Sequence, residues 1–143
     1  TKEFEWELFM EKLNHFIEDW GTSYAGRFLS AEGGSWSDYP YVQIYDLKLD
    51  NLAAFKAAHD KLVKQTSQTR GNRPVAFGTY DIGGGENISH WVAIGAADFS
   101  DLINQKVLEE KYVKEWAEWA KNNGGAVSPS NYTLTVLAAY TNE

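Results

Sequence analysis

A repeated pattern constrains the fold of this chain more than any other feature of its sequence. The segment YVQIYDLKLDNLAA, which starts at Tyr41, aligns without a gap with WVAIGAADFSDLIN, which starts at Trp91, at an offset of 50 residues. Upstream of these segments, Phe28 matches Phe77 at an offset of 49 residues. Each copy is interpreted as a strand, a glycine-rich hairpin, a second strand and a capped helix.

Hydrophobic spacing extends this interpretation to the whole chain. Apolar residues recur every three or four positions in three segments, which predicts three helices, and β-branched or aromatic runs predict five strands. The helices are predicted at residues 4–20, 51–64 and 101–122, the second capped by Asp50 and the third by Ser100 or Asp101. The strands are predicted at residues 25–34, 41–49, 74–82, 89–98 and 131–140.

A run of three glycines, Gly83 to Gly85, separates the third and fourth predicted strands. A phosphate-binding loop should lead directly into a helix, whereas this loop leads into a strand and has no lysine beside it. We therefore interpret the glycines as positive-φ positions of a long hairpin turn.

Composition limits the classes of function. The chain has 143 residues, the usual size of one domain, and no cysteine, so disulfides and thiol catalysis are excluded. Its formal net charge of -7 disfavours nucleic acid and anionic membranes as partners. No apolar run approaches the ~20 residues of a membrane-spanning helix, so we expect a soluble protein, cytoplasmic or exported after removal of a signal peptide.

The predicted elements form two strand-helix-strand halves, residues 41–82 and residues 90–140. This β-α-β-β-α-β order predicts an α+β, ferredoxin-like antiparallel sheet with helices on one face. The order, the repeat and the size resemble the dimeric α+β barrel superfamily, in which two such sheets pack face to face. The resemblance covers residues 41–140 at the level of architecture.

The length predicts one domain, residues 1–143, in which a helix and a strand at residues 1–40 precede the ferredoxin-like unit at 41–143 and depart from the plain superfamily pattern. The free face of the sheet is then covered by a second copy, giving a homodimer, or by the N-terminal segment. Some barrels of this superfamily bind haem through a helix histidine, but the third predicted helix has none. No cofactor is therefore predicted.

Side-chain alternation divides the repeated strands between the two faces of the sheet. The face predicted to pack on the helices holds Val42, Ile44, Val92 and Ile94. The opposite face is predicted to hold Tyr41, Gln43, Tyr45, Trp91, Ala93 and Gly95. This second face borders either a small-molecule pocket or a dry contact between two copies. The predicted ligand-binding residues are Tyr41, Gln43, Tyr45 and Trp91.

Two histidines are candidate acid-base groups. His59 lies on the apolar face of the second predicted helix, where an imidazole is either a general base or, more commonly, a hydrogen-bonded core residue. His90 either pairs with Asp81 across the hairpin or, more commonly for such a position, is a solvated strand-end residue. The candidate catalytic groups are therefore His59, His90, Asp81 and Tyr45. No ligand spacing for a metal is recognised around them.

Two functions from different classes remain open. The first is a non-catalytic barrel that binds a small apolar or aromatic ligand or serves as an assembly module. The second, implied by the resemblance, is a cofactor-independent enzyme similar to the monooxygenases and cyclases that act on small aromatic substrates. The substrate and the oligomer order are not encoded in any recognised motif of the sequence.

Overall fold

The computed structural model describes residues 1–19, 21 and 23–138, with the side chains of Lys106 and Leu108 left out. Within these residues the chain is an α+β protein with five helices and one open five-stranded antiparallel sheet. The helices are α1 (Lys2–Phe16), α2 (Leu52–Arg70), α3 (Phe99–Ile103), α4 (Lys106–Lys111) and α5 (Val113–Asn122). The strands are β1 (Ala25–Glu32), β2 (Tyr41–Lys48), β3 (Val75–Ile82), β4 (His90–Ala96) and β5 (Val127–Thr135).

All five predicted strands are confirmed, and four of them begin within a residue of the expected position. The fifth strand instead begins at Val127, four residues before the predicted start at Asn131. The end of that prediction, residues 139–140, lies outside the described residues, as does Trp20 at the end of the first predicted helix.

The strands lie in the order β1-β3-β4-β2-β5, and every neighbouring pair is antiparallel. The predicted hairpin between β3 and β4 is confirmed, and Gly83 and Gly84 have positive φ angles of 78° and 86°. The predicted hairpin between β1 and β2 is wrong, because β1 pairs with β3 at the edge of the sheet. The first glycine loop is held elsewhere: the Gly34 amide donates to the Asn72 carbonyl at 2.7 Å.

The second helix differs from its prediction at both ends. Its N-cap is Asn51 rather than Asp50, and the Asn51 side chain accepts a hydrogen bond from the Ala54 amide at 3.0 Å. The helix also continues through the polar stretch to Arg70, because Thr66 and Arg70 continue its buried face toward the sheet. Tertiary packing therefore extends the helix where propensity predicts that it fades.

The predicted long third helix is wrong, because the segment forms the three short helices α3, α4 and α5. Asp98 caps the first of them and accepts from the Asp101 amide at 2.7 Å. Tyr112 separates α4 from α5 with non-helical angles, φ −115° and ψ 39°. Its hydroxyl lies 2.8 Å from the Thr69 hydroxyl on α2, so a tertiary contact holds the residue at this break.

The strand register corrects the predicted faces of β2 and confirms those of β4. Val42 lies opposite Gly95 and Ile44 lies opposite Ala93, so all four residues are on the face without helices. The helix-covered face instead carries Tyr41, Gln43, Tyr45, Leu47, Val92 and Ile94. The two copies of the repeated strand therefore present opposite phases, although their sequences align without a gap.

The hydrophobic core lies on the helix-covered face, around Leu47, Phe55, Phe77 and Val92. One alternative predicted that the N-terminal segment covers the other face, and this prediction is wrong. Strand β1 instead lengthens the sheet beside β3, and α1 has no buried residue. Among the described residues, no helix has both the length and the apolar character that crossing a membrane requires.

Candidate functional site

A cavity of about 230 Å³ lies between the helix-covered face of the sheet and the helices. Strands β2, β3 and β4 line one side, while α2, α5 and the segment between α3 and α5 line the other. The lining is mostly apolar and aromatic, and includes Tyr45, Phe55, His59, Ile94, Trp116 and Trp119. An enclosed apolar space with a few polar groups is the usual form of a small-molecule pocket.

Spacing along α2 builds one wall of this cavity. Residues three or four positions apart share one face of a helix, and His59, Leu62, Val63, Thr66 and Arg70 all line the cavity. The wall is therefore aromatic near the start of α2 and cationic at its end. Arg73, just beyond the helix, also lines the cavity and is ion-paired with Asp101.

Four side-chain N–H groups around the cavity are buried and have no hydrogen-bond partner among the described residues. They are Nε of Arg70, Nε2 of Gln105 and Nε1 of both Trp116 and Trp119. Most buried polar atoms in proteins are paired, and leaving one unpaired costs about 1–3 kcal/mol. All four belong to residues that line one cavity, which makes that cavity the candidate site for a molecule that carries hydrogen-bond acceptors.

Arg70 is a buried cation whose positive charge is only partly balanced by a nearby carboxylate. Its side chain is 7% exposed, and its Nη2 lies 3.5 Å from Oε2 of Glu32, whose side chain is 54% exposed. Nη1 donates to the Arg73 carbonyl at 2.6 Å. Burial lowers the pKa of the Arg70 guanidinium, and the Glu32 carboxylate only partly opposes this shift.

His59 lies deep in the cavity wall, with 7% of its surface exposed. Its ring stacks on Phe55, with the ring centres 5.7 Å apart, and lies 5.5 Å from the ring of Phe77. Burial lowers the pKa of His59 to about 4, with Asp60 opposing the shift and Lys56 adding to it. The imidazole is therefore neutral at pH 7, with one donor and one acceptor nitrogen.

Tyr45, on strand β2, lines the same cavity as His59. Burial raises the pKa of the Tyr45 hydroxyl, and the nearby Glu109 carboxylate adds to this effect. Glu109 lines the cavity and is exposed, so the cavity reaches the molecular surface beside it. Of the predicted catalytic residues, the structure brings His59 and Tyr45 to one cavity.

The other two predicted catalytic residues do not form the expected pair. His90 bonds through Nδ1 to the Ser89 hydroxyl at 2.7 Å, and its ring stacks on Phe77. Asp81 instead binds Arg27, whose Nε and Nη2 donate to its two carboxylate oxygens at 2.6 Å and 3.0 Å. His90 is half-buried, rather than solvated, and burial lowers the pKa of its imidazole.

Three of the four predicted ligand-binding residues lie outside the cavity. Gln43 is paired with β5 through Asn131 and Thr133, and Tyr41 lies opposite Ala96 at the end of its strand. Trp91 is on the other face of the sheet, where its Nε1 donates to the Thr79 carbonyl at 2.9 Å. Tyr45 alone among these four residues lines the cavity.

The face without helices has a different character. It holds a shallow groove whose apolar and aromatic lining includes Phe28, Ile44, Trp91, Tyr132 and Leu134. Several polar side chains of this face are paired: the Tyr80 hydroxyl donates to Asp46 at 2.7 Å, and Ser130 donates to the same carboxylate at 2.7 Å. We refer to this surface as the open face.

Comparisons of the chain with protein-family models, with curated proteins and with solved structures found no match. Within the part of the chain that the structure describes, no group of three or more His, Cys, Asp and Glu side chains is arranged to hold a metal ion.

Sequence reasoning did not select Arg70, Gln105, Trp116 or Trp119 as site residues. The signal for Trp116 and Trp119 is present, because both lie on the apolar stripe of the third predicted helix. Arg70 lies in a polar stretch that reads as the end of a helix. Only the structure shows that this arginine is buried and that Gln105 faces the same space.

Proposed function

We propose that the chain binds a small apolar or aromatic molecule in the cavity between its sheet and its helices. The observation that carries this proposal is the set of four buried, unpaired N–H donors around a mostly apolar space of about 230 Å³. An apolar ligand body would fill the space between the aromatic walls, and its acceptor atoms would satisfy the donors.

The chemistry of His59 favours binding over catalysis. A general base works best when its pKa lies near the operating pH, and burial holds the pKa of His59 at about 4. Tyr45 is a poor acid for the same reason, because burial raises the pKa of its hydroxyl. The enzyme alternative, which relies on these two groups in this cavity, is therefore the weaker proposal.

A matched pair of variants tests the binding proposal. Ile94 lines the cavity, whereas Ile44, a similarly half-buried isoleucine on the adjacent strand, lines the groove of the open face. Isothermal titration calorimetry with the two-ring probes 2-naphthoate and 2-naphthamide should detect binding to the unaltered chain. I94F, which fills the cavity, should lower the affinity for the probe at least about tenfold, or 1.4 kcal/mol of binding free energy.

The matched control is I44F, which adds the same volume on the open face and should leave probe affinity unchanged. Equal affinity of the unaltered chain and I94F for every probe that binds would contradict the proposal. Failure of both naphthalene probes to bind the unaltered chain would contradict it as well. Circular dichroism of both variants establishes that a lost signal does not come from unfolding.

We also propose that the unit after β1 has the ferredoxin-like arrangement and pairs with a second copy through the open face, as in the dimeric α+β barrels. The order β3-β4-β2-β5 with α2 and α5 on one face supports the arrangement. The exposed fractions of Phe28, Tyr132 and Leu134, which are 64%, 46% and 39%, support the pairing. Monomers rarely leave a contiguous apolar surface of this kind uncovered.

Sedimentation equilibrium tests the pairing. The unaltered chain should sediment at twice the 16.1 kDa of one chain. L134K places a charge in the groove and should give a monomer, whereas L137K, at a residue that is 94% exposed, should remain a dimer. A monomer at every concentration of the unaltered chain would contradict the pairing and leave the cavity proposal intact.

A further inference from the structure

We infer that the ligand of the cavity is an organic monoanion, an apolar or aromatic molecule whose carboxylate is bound by the side edge of the Arg70 guanidinium. This inference rests on the proposed binding function and assigns its ligand class. Its starting point is the geometry of the guanidinium, which presents N–H donors in a planar fork that matches a carboxylate.

The side edge of the guanidinium, formed by Nε and Nη2, is paired with a carboxylate in Arg27 and incompletely paired in Arg70. Arg27 holds the carboxylate of Asp81 with the side edge formed by Nε and Nη2, at 2.6 Å and 3.0 Å. The same edge of Arg70 has no partner at Nε and only Glu32 at 3.5 Å from Nη2. The exposed arginine thus has a complete bidentate carboxylate, and the buried arginine lacks one.

Burial makes this difference important. A charge removed from water must be compensated by a partner and by hydrogen bonds, and a buried cation without them is unfavourable. Arg70 is 8% exposed, and its nearest carboxylate belongs to a half-exposed side chain at the end of β1. A ligand carboxylate on the Nε edge would compensate the charge from inside the cavity, where water screening is weak.

Two further cavity residues, Arg73 and Gln105, support the assignment of the anion to Arg70. Arg73 is already ion-paired with Asp101, so Arg70 is the cation of the cavity that lacks a close carboxylate. Gln105 also lines the cavity and contributes an unpaired Nε2 donor. Among the cavity residues, Glu109 is the carboxylate that would repel an anion, and it is exposed at the surface.

The rest of the cavity fits the body of such a ligand. Phe55 and Trp119 lie at the other end of the α2 wall, with their ring centres 6.2 Å apart, and His59 stacks on Phe55. The cavity is therefore aromatic at one end and cationic at the other, which matches a molecule with a carboxylate at one end only.

Calorimetry with two probes of one shape tests the inference on the unaltered chain. The probes are 2-naphthoate and 2-naphthamide, which differ in charge while both carry an acceptor oxygen. Naphthoate should bind at least tenfold more tightly than naphthamide, because only the anion compensates Arg70. If naphthoate and naphthamide bind with equal affinity, and I94F lowers both affinities, the inference is overturned while the proposed binding function is retained.

A variant on the surface tests whether Arg70 is the group that binds the anion. E32Q removes the carboxylate that competes for Nη2, so naphthoate should bind several-fold more tightly while naphthamide is unaffected. The matched control is E118Q, because Glu118 is also a half-exposed carboxylate and pairs with Lys61 outside this cavity. The same naphthoate affinity in both variants would overturn the assignment to Arg70.

Replacement of the arginine completes the test. R70M keeps the apolar length of the side chain and removes the charge, so naphthoate should lose its advantage over naphthamide. Persistence of a tenfold preference in a folded R70M would overturn the inference. The probe comparison and E32Q do not depend on the folding of R70M, so they decide the question even if that variant does not fold.

Discussion

Both faces of the sheet are in contact with tryptophan side chains, but the indole N–H groups are in different situations on the two faces. On the open face, Trp91 donates to the Thr79 carbonyl at 2.9 Å. On the helix-covered face, Trp116 and Trp119 contact each other at right angles and line the cavity, and neither N–H has a described partner. The indole N–H of Trp91 therefore has an acceptor within the chain, whereas those of Trp116 and Trp119 have none among the described residues.

This difference separates two kinds of apolar surface. The open face pairs its own polar groups, as Tyr80 and Ser130 do through Asp46, and leaves apolar side chains exposed. Such a surface is suited to a partner that contributes apolar area. The cavity lacks hydrogen-bond acceptors rather than apolar contacts, because its apolar groups are enclosed while the donors of its lining residues are unpaired. It is suited to a small molecule that carries acceptors.

The largest expected difference between the two faces is in stability. F77A removes a ring that is fully buried between Phe55, His59 and His90, and should lower the free energy of unfolding by about 3–5 kcal/mol. In the unpaired chain, at concentrations below those at which two copies associate, F28A removes a ring that is 64% exposed on the open face, and should cost less than about 1 kcal/mol. Urea unfolding measures both; similar costs would contradict the contrast drawn between the faces.

A pH-dependent effect should follow from His59. Its pKa is about 4 in the folded chain against an ordinary value of 6.5, so between these pH values the unfolded chain binds a proton that the folded chain does not. Stability therefore falls as the pH decreases through this interval, by roughly 3 kcal/mol at pH 4 relative to pH 8.

Comparison with H59Q isolates this contribution from the titration of carboxylates. The difference in unfolding free energy between the unaltered chain and H59Q should shrink by roughly 3 kcal/mol from pH 8 to pH 4. A pH-independent difference between the unaltered chain and H59Q would show that His59 is not held neutral by burial.

The smallest expected effect concerns the packing of Trp91 on the open face. Gly78 lies opposite Trp91 in the strand register, and a Cβ at this position would collide with the indole ring and the Arg27 carbonyl. G78A should therefore cost about 1–3 kcal/mol. G85A, whose Cβ would approach only the side chain of Ile88, should cost less, and equal costs would contradict this packing of Trp91.

Local sequence patterns predict most of the strands, because each is short, β-branched or aromatic, and bounded by glycine or polar residues. They do not predict the faces of β2, where Tyr41, Val42, Ile44, Tyr45 and Leu47 make both faces apolar or aromatic. Alternation then gives two sets of residues without saying which set meets the helices. The register with β4 supplies that information, and it comes from tertiary structure.

The breaks in the third predicted helix and the site residues escape prediction for a related reason. Residues 101–122 contain no proline or glycine, so no local signal ends the helix before Tyr112 meets Thr69 on α2. Likewise, Arg70 becomes unusual only because distant segments bury it. His59 and Tyr45 could be selected from the sequence because they are titratable side chains in apolar patterns, and both line the cavity.

The central claim is that small molecules bind on the helix-covered face of the sheet. The indole N–H resonances of the tryptophans, observed by ¹H–¹⁵N NMR during titration with 2-naphthoate, test it most directly. The resonances of Trp116 and Trp119 should shift as the naphthalene rings pack against the aromatic wall of the cavity, while that of Trp91 on the open face should not. A shift of Trp91 with Trp116 and Trp119 unchanged would place binding on the open face and contradict the account.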